Sequence, residues 1–199
     1  LWVSSAIYKM HPLPRSFFRC VFYLPVVTGS VAITVVWKWI LHPYYGLLNQ
    51  VAGTGTFDWL GNQHTAIWFI ILILFTTSIG QPIVLYVAAL GNVDQSLIEA
   101  AQVDGATKLQ VFWKIKWPQI MPTTLYVLVI TTINSFQCFA LIQLLTKGGP
   151  LNSTMTIMYQ VYDTAYRLND LGYANAIGVV LAIIIAIFSA VQFKLAKTE

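Results

Sequence analysis

Glu99-Ala100-Ala101-Gln102-Val103-Asp104-Gly105-Ala106, followed by Phe112, Ile115, Pro118 and Pro122, forms a short polar island between two long apolar runs. Its local chemistry predicts a short helix with a sharp stop. Ser96-Leu97-Ile98-Glu99 fits the S-x-x-E capping box, so a helix can begin near Ser96. Asp94 is the alternative cap. Ala100 and Ala101 favour helix. Gly105 can end it by adopting a left-handed conformation, which a residue without Cβ reaches at no steric cost. The result is about two or three turns, too short to stand alone in water, so it needs a partner surface. A second helical stretch is expected from Thr107 to about Trp117, with Pro118 and Pro122 marking entry into the next apolar run.

The runs on either side decide the class. The chain has 199 residues, 57% hydrophobic and 9% charged. Soluble domains usually carry about 25% charged residues, so this composition indicates a membrane protein. The net charge of +4 is not a nucleic-acid signal, because the basic residues flank apolar runs. Cys20 and Cys138 both fall inside such runs and read as small packing residues, not as a disulfide. The chain starts at Leu1 and shows no charged leader with a cleavage site, so no signal peptide is expected.

A spanning helix takes about 20 mostly apolar residues. Residues 20–41, 66–90, 122–145 and 173–193 qualify, giving an all-α, polytopic bundle of four spans. Strand-like alternation is absent, which disfavours a barrel. Lys9, Arg15 and Arg19 precede the first span; Lys108, Lys114 and Lys116 lie in the central loop; Lys194 and Lys197 follow the last. Residues 42–65 carry no Lys or Arg, and in residues 146–172 Lys147 and Arg167 are set against Asp163 and Asp170. The positive-inside rule therefore places both termini and the central loop in the cytoplasm. Lys38, between Trp37 and Trp39, can snorkel to the outer interface. Pro25 and Pro82 lie inside spans, and Gly80 stands beside Pro82; each permits a kink, and plain packing kinks are the simpler expectation.

The EAAxxDGA pattern, with Phe112, Ile115, Pro118 and Pro122 at fixed offsets, resembles the cytoplasmic loop of bacterial ATP-binding-cassette (ABC) importer permeases. Phe17-Phe18-Arg19, Phe22-Tyr23-Leu24-Pro25 and Trp37-Lys38-Trp39 look like that family's third helix. Pro43-Tyr44-Tyr45-Gly46-Leu47-Leu48-Asn49 is similar to its outer segment. Leu145-Thr146-Lys147-Gly148-Gly149-Pro150 with Thr154 resembles its LTxGGPxxxT turn, and Tyr162, Ala165, Tyr166 and Gly172-Tyr173-Ala174 continue the match. The set resembles the carbohydrate-uptake branch, the maltose-, glycerol-phosphate- and multiple-sugar-type permeases. The resemblance implies a type I ABC importer transmembrane fold, with residues 1–199 one permease domain, N-terminally incomplete, and residues 94–118 a cytoplasmic coupling loop. The family's first two helices would precede Leu1, and residues 1–10 look like the end of the second.

That resemblance implies ATPase coupling through Glu99, Ala100, Ala101, Asp104, Gly105 and Ala106. It implies as partners an ABC ATPase dimer, a second permease subunit in a heterodimer, an extracytoplasmic sugar-binding protein and the bilayer of a bacterial cytoplasmic membrane. No GxxxxGK[ST] is present, and the Gly-rich pieces Thr54-Gly55-Thr56 and Lys147-Gly148-Gly149 lack the order that cradles phosphates. No cofactor is expected in this chain; ATP and Mg would be bound by the ATPase subunits. His11, His42 and His64 are scattered without metal spacing and read as interfacial residues. Asn152-Ser153-Thr154 fits a glycosylation sequon, accidental in a bacterial chain.

Candidate substrate-path residues are Thr77, Ser78 and Gln81 on one span, and Thr131, Asn134, Ser135 and Cys138 on the next. Spacings of three, four and seven put each set on one helical face. Amides and hydroxyls both donate and accept hydrogen bonds, which suits a neutral polyol. The competing expectation is that these groups join membrane helices to one another. The function expected is a non-catalytic permease subunit of an ATP-driven, binding-protein-dependent sugar importer. The alternative is a secondary transporter or channel working without ATP. No carboxylate lies within a span to serve as a proton relay. A membrane-embedded enzyme is disfavoured by the lack of any clustered nucleophile, base or metal ligand.

Overall fold

A computed structural model describes residues 2–8 and 10–196, so Lys9 and Lys197, both used above to orient the chain, lie outside the described residues. The chain is an all-α bundle. Its elements are α1 (Trp2–Tyr8), α2 (Pro12–Val27), α3 (Ser30–Ile40), α4 (Leu47–Ala52), α5 (Ala66–Ser78), α6 (Gly80–Gly91), α7 (Gln95–Val103), α8 (Lys108–Val111), α9 (Trp117–Phe136), α10 (Ala140–Leu145), α11 (Ile157–Tyr162) and α12 (Leu171–Ala196). Two π-helical turns, Phe112–Lys116 and Asp163–Arg167, follow α8 and α11.

Among the described residues, three helical stretches are long and apolar enough to cross a membrane by themselves: Ala66–Gly91, Lys108–Leu145 and Leu171–Leu195. The expected span over residues 20–41 is two helices, α2 and α3, bent by 97°. It counts as a fourth span only as a broken one. The turn is not at Pro25, which stays inside α2. It comes at Thr28 and Gly29, whose ψ values of 128° and 137° are extended. Thr28-Gly29-Ser30 interrupts the apolar run for only three residues, too few for hydropathy to divide it.

Gly80 follows the bend at Ile79 that divides α5 from α6, and it has a packing role as well. It is buried where α6 crosses α2, and a Cβ there would collide with the Phe22 carbonyl and approach Val26 Cγ2 to 2.8 Å. Glycine permits the close approach that membrane helices use in place of a hydrophobic drive. In α12 the apolar window is only 6% buried within the chain. Val179, Val180, Ile183 and Ile187 are exposed there, so this surface is left for lipid or another subunit.

The segments around α4 and around the Gly-Gly-Pro turn are each tied by a buried polar hub. Asn49 donates to the carbonyls of Pro43 and Phe57, each at 2.9 Å, and accepts from Thr54 Oγ1 and Trp59 Nε1, each at 2.7 Å. Thr154, 1% exposed, closes the Gly-Gly-Pro turn by donating to the Gly149 carbonyl at 2.7 Å, and its hydroxyl also meets that of Thr146 at 2.7 Å. Thr154→Val keeps the shape and strands those partners. It should destabilise the protein by about 1–2 kcal/mol, read as a lowered midpoint of thermal unfolding in detergent. An unchanged midpoint would show that the hub is dispensable.

Candidate functional site

The polar island folds as the short helix α7. Its N-cap is Asp94, not Ser96. The Asp94 carboxylate accepts from the Ser96 N–H at 2.9 Å and from the Ser96 hydroxyl at 2.8 Å. A charged acceptor wins over a hydroxyl, and Ser96 becomes a donor to the cap. Those two bonds, the hydroxyl's first, hold the Asp94 carboxyl below the usual carboxylate range. The cap therefore persists at neutral pH and is lost only as pH falls through that lowered value. The capping box occurs one helix later: Gln110 N–H donates to Thr107 Oγ1, and Thr107 N–H donates to Gln110 Oε1 at 2.8 Å.

Helix α7 ends as expected at Gly105, with φ of +77°. Ala106 N–H reaches the Ala101 carbonyl at 2.9 Å and Gly105 N–H the Gln102 carbonyl at 3.1 Å. This is a complete Schellman motif. The six coupling candidates divide by face. Ala101 and Ala106 are half-buried in a cluster with Ile98, Leu90, Val93 and Val111. Glu99, Ala100, Asp104 and Gly105 are exposed. Ile98, 6% exposed, pins the helix to the ends of α6 and α8. The helix is thus fixed to two spans by one face and offers the other outward.

The expected helix from Thr107 to Trp117 contains a π-turn. Trp117 N–H bonds to the Phe112 carbonyl, five residues back. The turn sits just before Pro118, whose nitrogen has no hydrogen to give. Pro122 lies inside α9, so the proline does not end the element.

A cavity of about 340 Å³ lies where the α2–α3 bend, the α5–α6 junction and the end of α9 meet. Thr77, Ser78, Gln81, Thr131, Asn134 and Cys138 line it. Ser135 does not line it; its hydroxyl donates to the Thr131 carbonyl at 2.8 Å. Cys138 reaches the cavity for a reason other than helical spacing. Residues 137–139 interrupt the helix between α9 and α10. The structure adds three polar residues to the wall: Thr28, Ser30 and Gln137. Thr28 and Ser30 flank Gly29 in a Thr-Gly-Ser after a proline, which is a break signal. Gln137 lies one turn beyond Asn134.

No charged side chain lines the cavity. The hydroxyls of Thr77 and Thr131 donate back to carbonyls of Ile73 and Val127, at 3.0 and 2.7 Å, leaving lone pairs free to accept. Hydrogen bonds of this kind satisfy the donor within its own helix. The side chains of Ser78, Gln81, Asn134 and Gln137 have no hydrogen-bond partner among the described residues. None of these four side chains makes a hydrogen bond to another helix among the described residues. Cys20 and Cys138 are both free thiols. Among the described residues no group of His, Cys, Asp and Glu could hold a metal ion.

The chain is similar in sequence and fold to known proteins. A multiple sugar-binding transport system permease protein of Streptococcus mutans is 33% identical over 187 residues, covering 92% of this chain. A diacetylchitobiose uptake system permease protein of Streptomyces coelicolor is 32% identical over 185 residues, covering 89% of this chain. The chain spans 64% of the length of the first and 52% of the second. A crystal structure of a bacterial ABC transporter involved in import of the acidic polysaccharide alginate has a chain of the same fold. Its TM-score is 0.83 at 21% identity, covering 99% of this chain and 71% of that one. Residues 3–198 match the family described as binding-protein-dependent transport system inner membrane component. The match takes in every described element but the first residue of α1, and the chain is a multi-pass membrane protein belonging to that family.

Proposed function

We propose that this chain is the translocation-forming part of a permease subunit in an ATP-driven, binding-protein-dependent importer of a neutral sugar or polyol. The observation that carries it is an uncharged cavity whose free amides and hydroxyls come from three parts of the bundle, with a short helix pinned to two of the same spans. A neutral wall can hydrogen-bond hydroxyls without desolvating an ion. The relatives' names point to the same branch, with multiple sugars and diacetylchitobiose among them.

In this reading the chain performs no catalysis. ATP and Mg bind to a separate ATPase dimer. Helix α7 with Glu99 and Asp104 sits in a cleft of one ATPase subunit. A second permease subunit completes the pathway, and an extracytoplasmic binding protein delivers the solute. ATPase closure pulls α7, and because Ile98 ties α7 to α6 and α8, the spans move with it. The solute then meets Gln81 and Asn134 in the cavity. Residues 94–118 are the coupling loop and face the cytoplasm, as do both ends of the chain.

Two measurements test it. Cysteine placed at Thr56 or Asn152 should react with an impermeant thiol reagent from outside, and cysteine at Thr107 should not. The reverse labelling contradicts the orientation. In reconstituted vesicles the complete system should take up neutral oligosaccharides and reject uronic-acid oligosaccharides of the same length. Uptake of the acidic chain alone would contradict the neutral-solute reading.

A further inference from the structure

The wall of the candidate solute cavity includes one aromatic residue, Phe139, which belongs to a longer row of rings. Its ring centroid lies 4.8 Å from that of Tyr162, and Tyr162 lies 5.1 Å from Tyr166. Burial falls along the row: Phe139 and Tyr162 are half-buried, and Tyr166 is 74% exposed. Tyr159, buried in the core cluster of α5 and α10, packs against both Phe139 and Tyr162 and backs the row. The exposed end is held by a built turn. Tyr166 lies in the π-turn Asp163–Arg167, closed by the Leu168 N–H on the Asp163 carbonyl at 3.1 Å. The buried Asp163 carboxylate pairs with Arg167 Nε at 3.1 Å across the same turn. A π-turn departs from helical regularity and re-aims the side chains it carries. Arg167, Asn169 and Asp170 beside Tyr166 are exposed, and such neighbours belong in water, not in hydrocarbon. Anchoring at a membrane interface needs only separate rings, not a row that ends in a cavity wall.

We propose that Tyr166, Tyr162 and Phe139 form an entry track for sugar rings, leading from the extracytoplasmic surface to the cavity. This rests on the transport reading and its orientation, which put residues 146–172 outside. A pyranose ring presents C–H groups on its faces, and the electron-rich face of an aromatic ring attracts them. The sugar hydroxyls stand at the rim and keep their water, so stacking requires little desolvation of polar groups. Contact of this kind is weak at each ring and repeats at the next. It holds a sugar loosely on the way to the amides of Gln81 and Asn134, where hydrogen bonds take over.

The test uses the complete complex with its binding protein in proteoliposomes, supplied with a mixture of short neutral oligosaccharides radiolabelled at the reducing end. Uptake is read per ATP hydrolysed, so a defect of docking or folding, which lowers both, cancels. Tyr166→Leu should lower that ratio about fivefold, the equivalent of about 1 kcal/mol of lost stacking. Tyr166→Phe should restore most of it, because the ring and not the phenol hydroxyl makes the contact. Tyr173→Leu removes an exposed tyrosine of α12 outside the row and should match the wild type. A wild-type ratio in Tyr166→Leu overturns the track and leaves the transport reading standing. So does a loss in Tyr166→Phe or Tyr173→Leu equal to that in Tyr166→Leu, or a parallel fall of uptake and hydrolysis. No uptake of the mixture by the wild type overturns both the track and the transport reading.

Discussion

Glu99→Lys abolishes uptake and the transport-coupled ATPase while the protein still reaches the membrane in normal amount. Glu99 is exposed on the outward face of α7, whereas its neighbour Ile98 is buried in the core that holds the helix. The substitution therefore leaves the fold of the loop intact and changes only what it presents. In the cleft of an ATPase subunit the carboxylate would pair with a basic residue. Removing one partner of a buried charge pair costs about 3–5 kcal/mol, and reversing the sign adds repulsion. Gly105→Val should reach the same result by another route. Nothing lies within 4 Å of a Cβ built at Gly105, so space is not the obstacle. The obstacle is its φ of +77°, which a β-branched residue resists. The Schellman bonds to Gln102 and Ala101 would then fail and α7 would lose its fixed end. Uptake and ATPase stimulation are measured in vesicles against membrane content by immunoblot. Normal values in both variants would remove α7 from the coupling path.

The second large effect is on the solute. Asn134→Leu replaces a cavity-lining amide with an isosteric apolar side chain, and Gln81→Leu replaces one with an apolar side chain one methylene shorter. Each should reduce uptake about tenfold if it removes about 1.4 kcal/mol of binding. The pair should reach about a hundredfold where the two act independently. Ser135→Ala is the control. Ser135 is on the same helix and one residue from Asn134, but it faces away from the cavity and is satisfied by the Thr131 carbonyl. Its uptake should be unchanged. A loss in Ser135→Ala equal to that in Asn134→Leu would assign these residues to helix packing.

Much of the fold was legible because the bilayer leaves few options. Long apolar runs can only be helices, and Gly105 after an Ala-rich turn can only be a stop. What was hidden depends on contacts or on breaks that hydropathy does not register. The bend at Thr28 and Gly29 falls in a Thr-Gly-Ser too short to divide the apolar run by hydropathy. The choice of Asp94 over Ser96 as cap was open in the sequence and was decided by one hydroxyl turning to the carboxylate. The π-turn before Pro118 is a local accommodation, invisible to periodicity. Within the cavity, the rule of one helical face held for Thr131 and Asn134. It failed for Ser135, and it reached Cys138 only through the interruption at residues 137–139. Thr28 and Ser30 were missed because they face the cavity only after the chain has bent. Asn49 was quoted as part of a motif, but its partners at Phe57 and Trp59 show why an amide stands there.

The most direct test is ATP hydrolysis by the complete complex in proteoliposomes, measured as the binding protein is added with and without a neutral oligosaccharide. The expected result is that the loaded binding protein stimulates hydrolysis in step with sugar accumulation, and that Glu99→Lys loses both together. Sugar accumulation driven by an ion gradient without ATP, untouched by Glu99→Lys, would contradict the account.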